Sequence, residues 1–147
     1  MNIEKLKDEI KRDEGIVNEI YLDHLGFPTF GVGHLIRETD PEYGWEVGTA
    51  VSDERVNQCL DEDLQTAIGE CHVVFPDFDE LPEEAQLVIA NMMFNLGRPK
   101  LNKFRNFIAA VEARQWNEAA NQMVDSLWYR QVTARAERLV RRIRSLA

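Results

Sequence analysis

Cysteine is scarce: Cys59 and Cys71 are the only two in 147 residues. On a single helix, twelve residues would hold them about 18 Å apart, too far for a disulfide. No metal-ligand spacing surrounds either, so reduced, packed thiols of a cytosolic protein are expected, with no metal site. Long apolar runs are missing too. No window approaches the roughly 18 apolar residues of a membrane span, so no stable membrane insertion is expected. Charges interrupt the opening MNIEKLKDEIKRDEG at every turn, unlike a signal peptide, which predicts a chain held in a cytoplasm unless something lets it out. Repeats, low-complexity tracts and linkers are absent, and the length suits one domain with a real core.

Positive charge is the last shortage. Seventeen Lys and Arg face 26 Asp and Glu, a net charge of -9, which argues against nucleic acid as a partner. The balance is uneven. Residues 130–147 hold six Arg and one Glu, so the preceding residues carry -14. That basic segment could meet an anionic polymer, or its Arg residues could answer acidic neighbours on a solvated helix face.

The residues present predict an α+β chain, predominantly α-helical. Asn2 can cap a first helix carrying Ile3, Leu6 and Ile10 at helical spacing, with Gly15 as its stop. Between residues 20 and 35, short apolar runs broken by Gly and Pro read as a small antiparallel sheet. Residues 37–51 have loop composition. Ser52 then opens a long helix over about residues 52–71 with Val56, Leu60, Leu64, Ala67 and Cys71 on one stripe. Pro82 suits a first helical position, and residues 85–96 are apolar almost all round, a buried central helix closed by Gly97. Helices over 102–114, 116–123 and 133–146 complete the prediction.

Glu14 poses the chemical question. At about 100° per residue it falls roughly 20° off the line of Ile3, four residues after Ile10, and so faces inward. Burial disfavours a charged carboxylate, which suits a general acid; an inward Glu can equally pair with an Arg or fray toward water. Centring the hairpin turn on Gly26, with Leu25, Gly26 and Phe27 as its loop, sets Asp23 opposite Thr29, with Cβ atoms roughly 4.5–5.5 Å apart. Tyr21 and Gly31 would be the next pair, and Gly31 and Gly33 would admit a bulky ligand to the backbone. An Asp and a Thr so placed can hold one water between them, although both types are common in turns. Two carboxylates in unlike surroundings, within a short stretch of chain, match the acid and base of glycoside hydrolysis.

With D-E-G at 13–15, Y-x-D at 21–23 and T-F-G-V-G-H at 29–34, the chain resembles the phage-type muramidases, the lysozyme family of the T-even phages and their endolysin relatives. MMFNLG at 92–97, FRNFIAAVEARQWNEAA at 104–120 and WYRQVTARAERLVRRI at 128–143 extend the resemblance over nearly the whole length. It implies a single lysozyme-like domain over 1–147. An N-terminal helix and β lobe would span about 1–51, a bridging helix 52–71, and a helical lobe 72–147. The implied activity is hydrolysis of the β-1,4 bond between N-acetylmuramic acid and N-acetylglucosamine in peptidoglycan, without a cofactor and with inversion. Glu14 would be the general acid, Asp23 would stabilise charge at the anomeric carbon, and Thr29 would hold the attacking water. Tyr21, Gly33, Asn95 and Arg135 would bind substrate, with Arg135 near the catalytic Glu and Asn95 either a substrate donor or a helix cap.

His34 reads as a core histidine pinning the sheet to an acid, Trp128 and Tyr129 as packing, and Trp45 as a candidate platform for a sugar. The resemblance further implies a monomer that waits in a host cytoplasm, passes through a holin-like pore and lyses the cell from the wall. Two features depart from the T-even enzyme: a shorter 37–51 segment, and acidic rather than basic net charge. Any attraction to an anionic wall is therefore expected from the Arg-rich C-terminal helix. Two rivals stand beside hydrolysis: a lytic transglycosylase, which would not need Asp23 and Thr29, and a silent peptidoglycan-binding protein on the same fold.

Overall fold

Residues 1–147 are all described by the computed structural model, which divides into two units: Ile3–Thr66, and Ala67–Ala147 with Met1–Asn2. Eight α-helices and one small antiparallel sheet make it an α+β chain dominated by helix, as expected.

In the first unit, α1 (Ile3–Glu14) buries Leu6 and Ile10, one helical turn apart. Gly15 ends it in the left-handed region, at φ +76°, with its N–H donating to the Lys11 carbonyl. Three strands follow in the order β1 (Val17–Leu22), β2 (Pro28–Gly31) and β3 (His34–Leu35), each antiparallel to the next. Residues 37–51 form the expected loop, and its far end returns along β1, where Ile20 N–H donates to Thr49 O and Val51 N–H to Asn18 O.

The hairpin register differs from the expected one. Tyr21, not Asp23, lies opposite Thr29, and Leu22 lies opposite Pro28. The reason is the turn. Asp23 Oδ1 accepts hydrogen bonds from the Leu25 and Phe27 N–H groups, and Asp23 N–H donates to Phe27 O, so the loop is His24, Leu25 and Gly26. Gly26 takes the last, left-handed position of this three-residue loop, at φ +84°, rather than its centre. Asp23 thereby becomes a diagonal neighbour of Thr29. The same shift takes Tyr21 from its expected partner Gly31, and an irregularity further along β1 pairs Gly31 with Val17.

Helix α2 (Asp53–Val74) opens where Ser52 accepts from Arg55 N–H, and it runs three residues beyond the expected end. Its buried stripe is the predicted one: Val56, Cys59, Leu60, Leu64, Ala67 and Cys71. Both thiols are free and buried, and burial pushes them up, to about 11 for Cys59 and about 12 for Cys71, so neither is a reactive thiolate. Lys7 of α1 pairs with Asp61 of α2 at 2.8 Å, and the Val56 side chain crowds the space that a Cβ on Gly31 would need.

In the second unit, a single 3-10 turn (Phe78–Glu80) leads to α3 (Glu83–Leu96), in which every residue from Ala85 to Met93 is buried. Pro82 stands just before this helix rather than at its first position, and Gly97 closes it as expected. The chain then winds through α4 (Arg98–Leu101), α5 (Arg105–Glu112), α6 (Trp116–Val124), α7 (Leu127–Gln131) and α8 (Thr133–Arg144). The predicted helix over 102–114 is shorter than expected, Arg105–Glu112, because Phe104 leaves the helical region at ψ 54°, and the separate short helix α4 precedes it. The short helix α7 was not foreseen; Ser126 caps it by accepting from Tyr129 N–H. Helix α8 packs on α3 and α6, with Arg142 hydrogen-bonded to Glu84 of α3. No helix is long and apolar enough to cross a membrane.

Candidate active site

Glu14 is the last residue of α1 and is half-buried. The two-residue link between β2 and β3 brings Gly33 against it so closely that a Cβ there would lie 2.8 Å from Glu14 Oε1. Only glycine leaves that space, and Gly33 also sits at φ +64°, where an L side chain is strained. The glycine-rich link therefore shapes the seat of the carboxylate. This differs from the expected role, in which glycine made room for a ligand.

Asp23 and Thr29 are joined through one residue that the sequence did not single out. Phe27 donates its N–H to Asp23 Oδ1 at 2.9 Å, and its carbonyl accepts the Thr29 hydroxyl at 3.0 Å. Both backbone donors to Asp23 fall on Oδ1, and Oδ2 takes part in neither bond. Thr29, only 4% exposed, has its hydroxyl proton committed to Phe27, which leaves its oxygen as an acceptor. Such an oxygen can orient a water by taking one of its protons. Tyr21 lies directly opposite Thr29 on the neighbouring strand. Burial raises its phenol above the ordinary value, and the Glu14 and Asp23 charges raise it further, so the ring stands in the field of both carboxylates. Nothing in sequence spacing would have revealed that the phenol feels both.

Behind this face, His34 has the expected structural place, with one acid more than foreseen. Its buried ring is hydrogen-bonded through Nδ1 to Asp63 at 2.7 Å and through Nε2 to Asp40 at 2.9 Å, a pair of acids that favours the imidazolium, in which both nitrogens donate. Burial lowers the His34 pKa, but the bonds and charges of Asp63 and Asp40 outweigh it and the net value is raised. Asp40 also accepts from Arg37 N–H, and Arg55 forks onto buried Glu42 with two 3.0 Å bonds. This network ties the 37–51 loop to α2 and β3. Trp45, in the same loop, is exposed.

Asn95 and Arg135 belong to the second unit. Asn95 Oδ1 accepts from the indole N–H of Trp128 at 2.7 Å, which leaves the amide N–H2 as the group it can offer. Trp128 is buried, in keeping with packing, and Tyr129 donates its hydroxyl to Glu137. Arg135 is buried and donates from Nε to Asn91. Five of the seven expected site residues, Glu14, Tyr21, Asp23, Thr29 and Gly33, thus share the first unit. No group of three or more His, Cys, Asp or Glu residues is arranged to hold a metal ion.

A half-buried carboxylate and a hairpin that presents an aspartate and an acceptor hydroxyl, on a small sheet within a helical chain, fit the two-carboxylate pattern of glycoside hydrolysis. The sequence model of the phage lysozyme family matches residues 11–145, and the chain belongs to that family. It is 27% identical to probable T4-type lysozyme 2 of Dictyostelium discoideum, covering 94% of this chain and 92% of that one. It is 28% identical to the pre-baseplate central spike protein Gp5 of Enterobacteria phage T4, over 91% of this chain but 26% of the spike protein. The peptidoglycan hydrolase gp36 of Pseudomonas phage phiKMV is 26% identical over 93% of this chain and 15% of its own length. The chain therefore spans about a quarter or less of the two phage relatives and nearly all of the amoebal one.

Proposed function

We propose that this chain hydrolyses the β-1,4 bond between N-acetylmuramic acid and N-acetylglucosamine in bacterial peptidoglycan, with inversion at the anomeric carbon. The observation that carries the reading is that Glu14 lies against Gly33 while Tyr21, directly opposite Thr29, stands in the field of both Glu14 and Asp23. Glu14 protonates the glycosidic oxygen as the bond breaks. Asp23, held by two backbone N–H groups through Oδ1, turns its other oxygen to the positive charge growing at the anomeric carbon and to the incoming water. Thr29 accepts a hydrogen bond from that water, which fixes the face from which it attacks, and as the new C–O bond forms the water's other proton passes to Asp23. A lytic transglycosylase needs no such water-holding pair. Peptidoglycan as substrate is supported by the family and by the name of the phiKMV relative. In a phage setting the enzyme acts as a monomer, reaching the wall from the host cytoplasm through a pore made by another protein.

Release of reducing ends from purified peptidoglycan by the wild type and by Glu14→Gln tests this reading. The variant keeps the shape of the side chain and removes the acid, so a loss of about 10²–10⁴-fold is expected with the circular dichroism spectrum intact. Equal rates would place the acid elsewhere. Products ending in 1,6-anhydro sugars would replace hydrolysis by transglycosylation.

A further inference from the structure

The expected wall-binding element, the C-terminal helix, is largely engaged by the protein itself. Arg135 donates to Asn91, Arg142 to Glu84, Arg144 to Asn121 at 3.0 Å, and Arg141 lies 3.9 Å from Glu137. A second basic run has no such partners. Between Gly97 and Glu112 the chain carries Arg98, Lys100, Lys103 and Arg105 and no acidic residue, within a protein of net charge -9. All four side chains are exposed, and none is ion-paired within the chain.

The backbone beneath them is firmly wound. Buried Leu101 anchors α4, and turns from Gly97, Arg98, Lys100 and Leu101 carbonyls carry the chain to Phe104. The Phe104 ring then meets Phe107 and Trp128 edge-on, at centroid distances of 6.4 and 6.5 Å. Trp128 is the residue that holds Asn95, three positions before Arg98. The cations are therefore displayed on a hydrogen-bonded strip, anchored by Leu101 and Phe104, that continues from the end of α3.

We infer that Arg98, Lys100, Lys103 and Arg105 form a non-catalytic foothold for the carboxylate-bearing peptides of peptidoglycan. This rests on the proposed substrate and adds to it a place where the polymer is held. An acidic enzyme is repelled by an anionic wall, so holding it calls for a local surface of opposite sign whose charges are not already spent on internal partners. This strip meets both conditions, whereas on the C-terminal helix Arg135 is buried, Arg142 is held by Glu84 and Arg141 lies beside Glu137. The occupant is a polymer with repeated carboxylates, because four cations within eight residues reward several weak contacts at once.

Co-sedimentation with purified sacculi, using Glu14→Gln protein so that the polymer stays intact, is the test. Changing all four cations to Gln should weaken binding about ten-fold at low salt and flatten its salt dependence. Sacculi whose carboxylates have been converted to neutral amides should bind the unaltered strip as poorly as intact sacculi bind the changed one. A control with Arg130→Gln and Arg141→Gln should lose much less per charge; an equal loss would mean that net charge alone matters and would overturn the strip. Tighter binding to duplex DNA or to vesicles of anionic lipid than to sacculi would overturn the wall polymer as occupant. If the fourfold variant misfolds, Lys100→Gln with Lys103→Gln, both exposed, gives the same comparison at half the charge. The two proposals fail separately: binding that ignores the strip while reducing ends are released sinks only the foothold, whereas strip-dependent binding without release sinks only the hydrolase.

Discussion

From Ala85 to Met93 the helical unit buries nine consecutive residues, of which only Gln86 and Asn91 are polar. Elsewhere that unit buries one charged side chain, Arg135, whereas the sheet unit encloses Glu9, Thr29, His34 and Glu42 beside its apolar residues. Apolar burial is non-directional and indifferent to pH, so it stabilises a helix packed all round without fixing any one atom closely. Charged hydrogen bonds are directional, and they hold β3, the 37–51 loop and α2 in one arrangement. The unit that holds Glu14, Asp23 and Thr29 is the one organised by polar geometry. Position, rather than bulk stability, is what its construction secures.

If that contrast is right, the two units should break differently. The largest loss of stability is expected from Ile89→Ala, at the centre of α3, at about 3 kcal/mol from lost burial and the space left behind. Denaturant unfolding would measure it, and activity per folded molecule should not change. His34→Gln should cost about 2–3 kcal/mol, because Asp40 and Asp63 lose a shared cation in a part-buried site.

The same histidine predicts a pH signature. His34 has a raised folded pKa, so its contribution is complete below the unfolded value, about 6.5, and is lost as pH rises through the folded value. Asp40 has a lowered one, from burial opposed and outweighed by the Arg37 N–H and His34, so its contribution is lost as pH falls through that value. Melting temperature of the wild type should therefore fall on the alkaline side of the His34 transition, and His34→Gln should remove that fall. A variant that kept the same alkaline slope would show that another group is responsible.

Gly33→Ala should have the smallest effect on stability of the three and the largest on turnover. The strain at φ +64° costs roughly 1–2 kcal/mol. The atom struck by the new methyl is Glu14 Oε1, the far end of a side chain rather than backbone, so it is the carboxylate that shifts. That movement takes the carboxylate out of its seat, and a fall in rate of about 10²-fold is expected from a misplacement on the order of 1 Å. Full activity in Gly33→Ala would separate the glycine link from the positioning of Glu14.

Much of this was legible in advance where the signal is local. Helical spacing in α1 and α2, the all-round apolar character of α3 and the stops at Gly15 and Gly97 follow from a few neighbouring residues each. The hairpin was legible only as a hairpin. Its register turned on whether Asp23 would bond its own loop, and the two-position error that followed moved Tyr21, not Asp23, opposite Thr29. His34 announced a structural role, but Asp40 and Asp63, six and 29 positions away, carry no mark in the sequence that selects them from the other acids.

By itself, then, the sequence determined the helices and their buried faces, the order and spacing of Glu14, Asp23 and Thr29, and the glycines that allow tight links. Those properties are set by periodicity and by backbone freedom, both of which act over a few residues. The tertiary structure decided which group faces which: Phe27 linking Asp23 to Thr29, Gly33 against Glu14, and Arg142 taken up by Glu84 while Lys100 and Lys103 stay exposed. Pairing is a matter of distance in space, and residues far apart in the chain acquire that distance only when the elements pack.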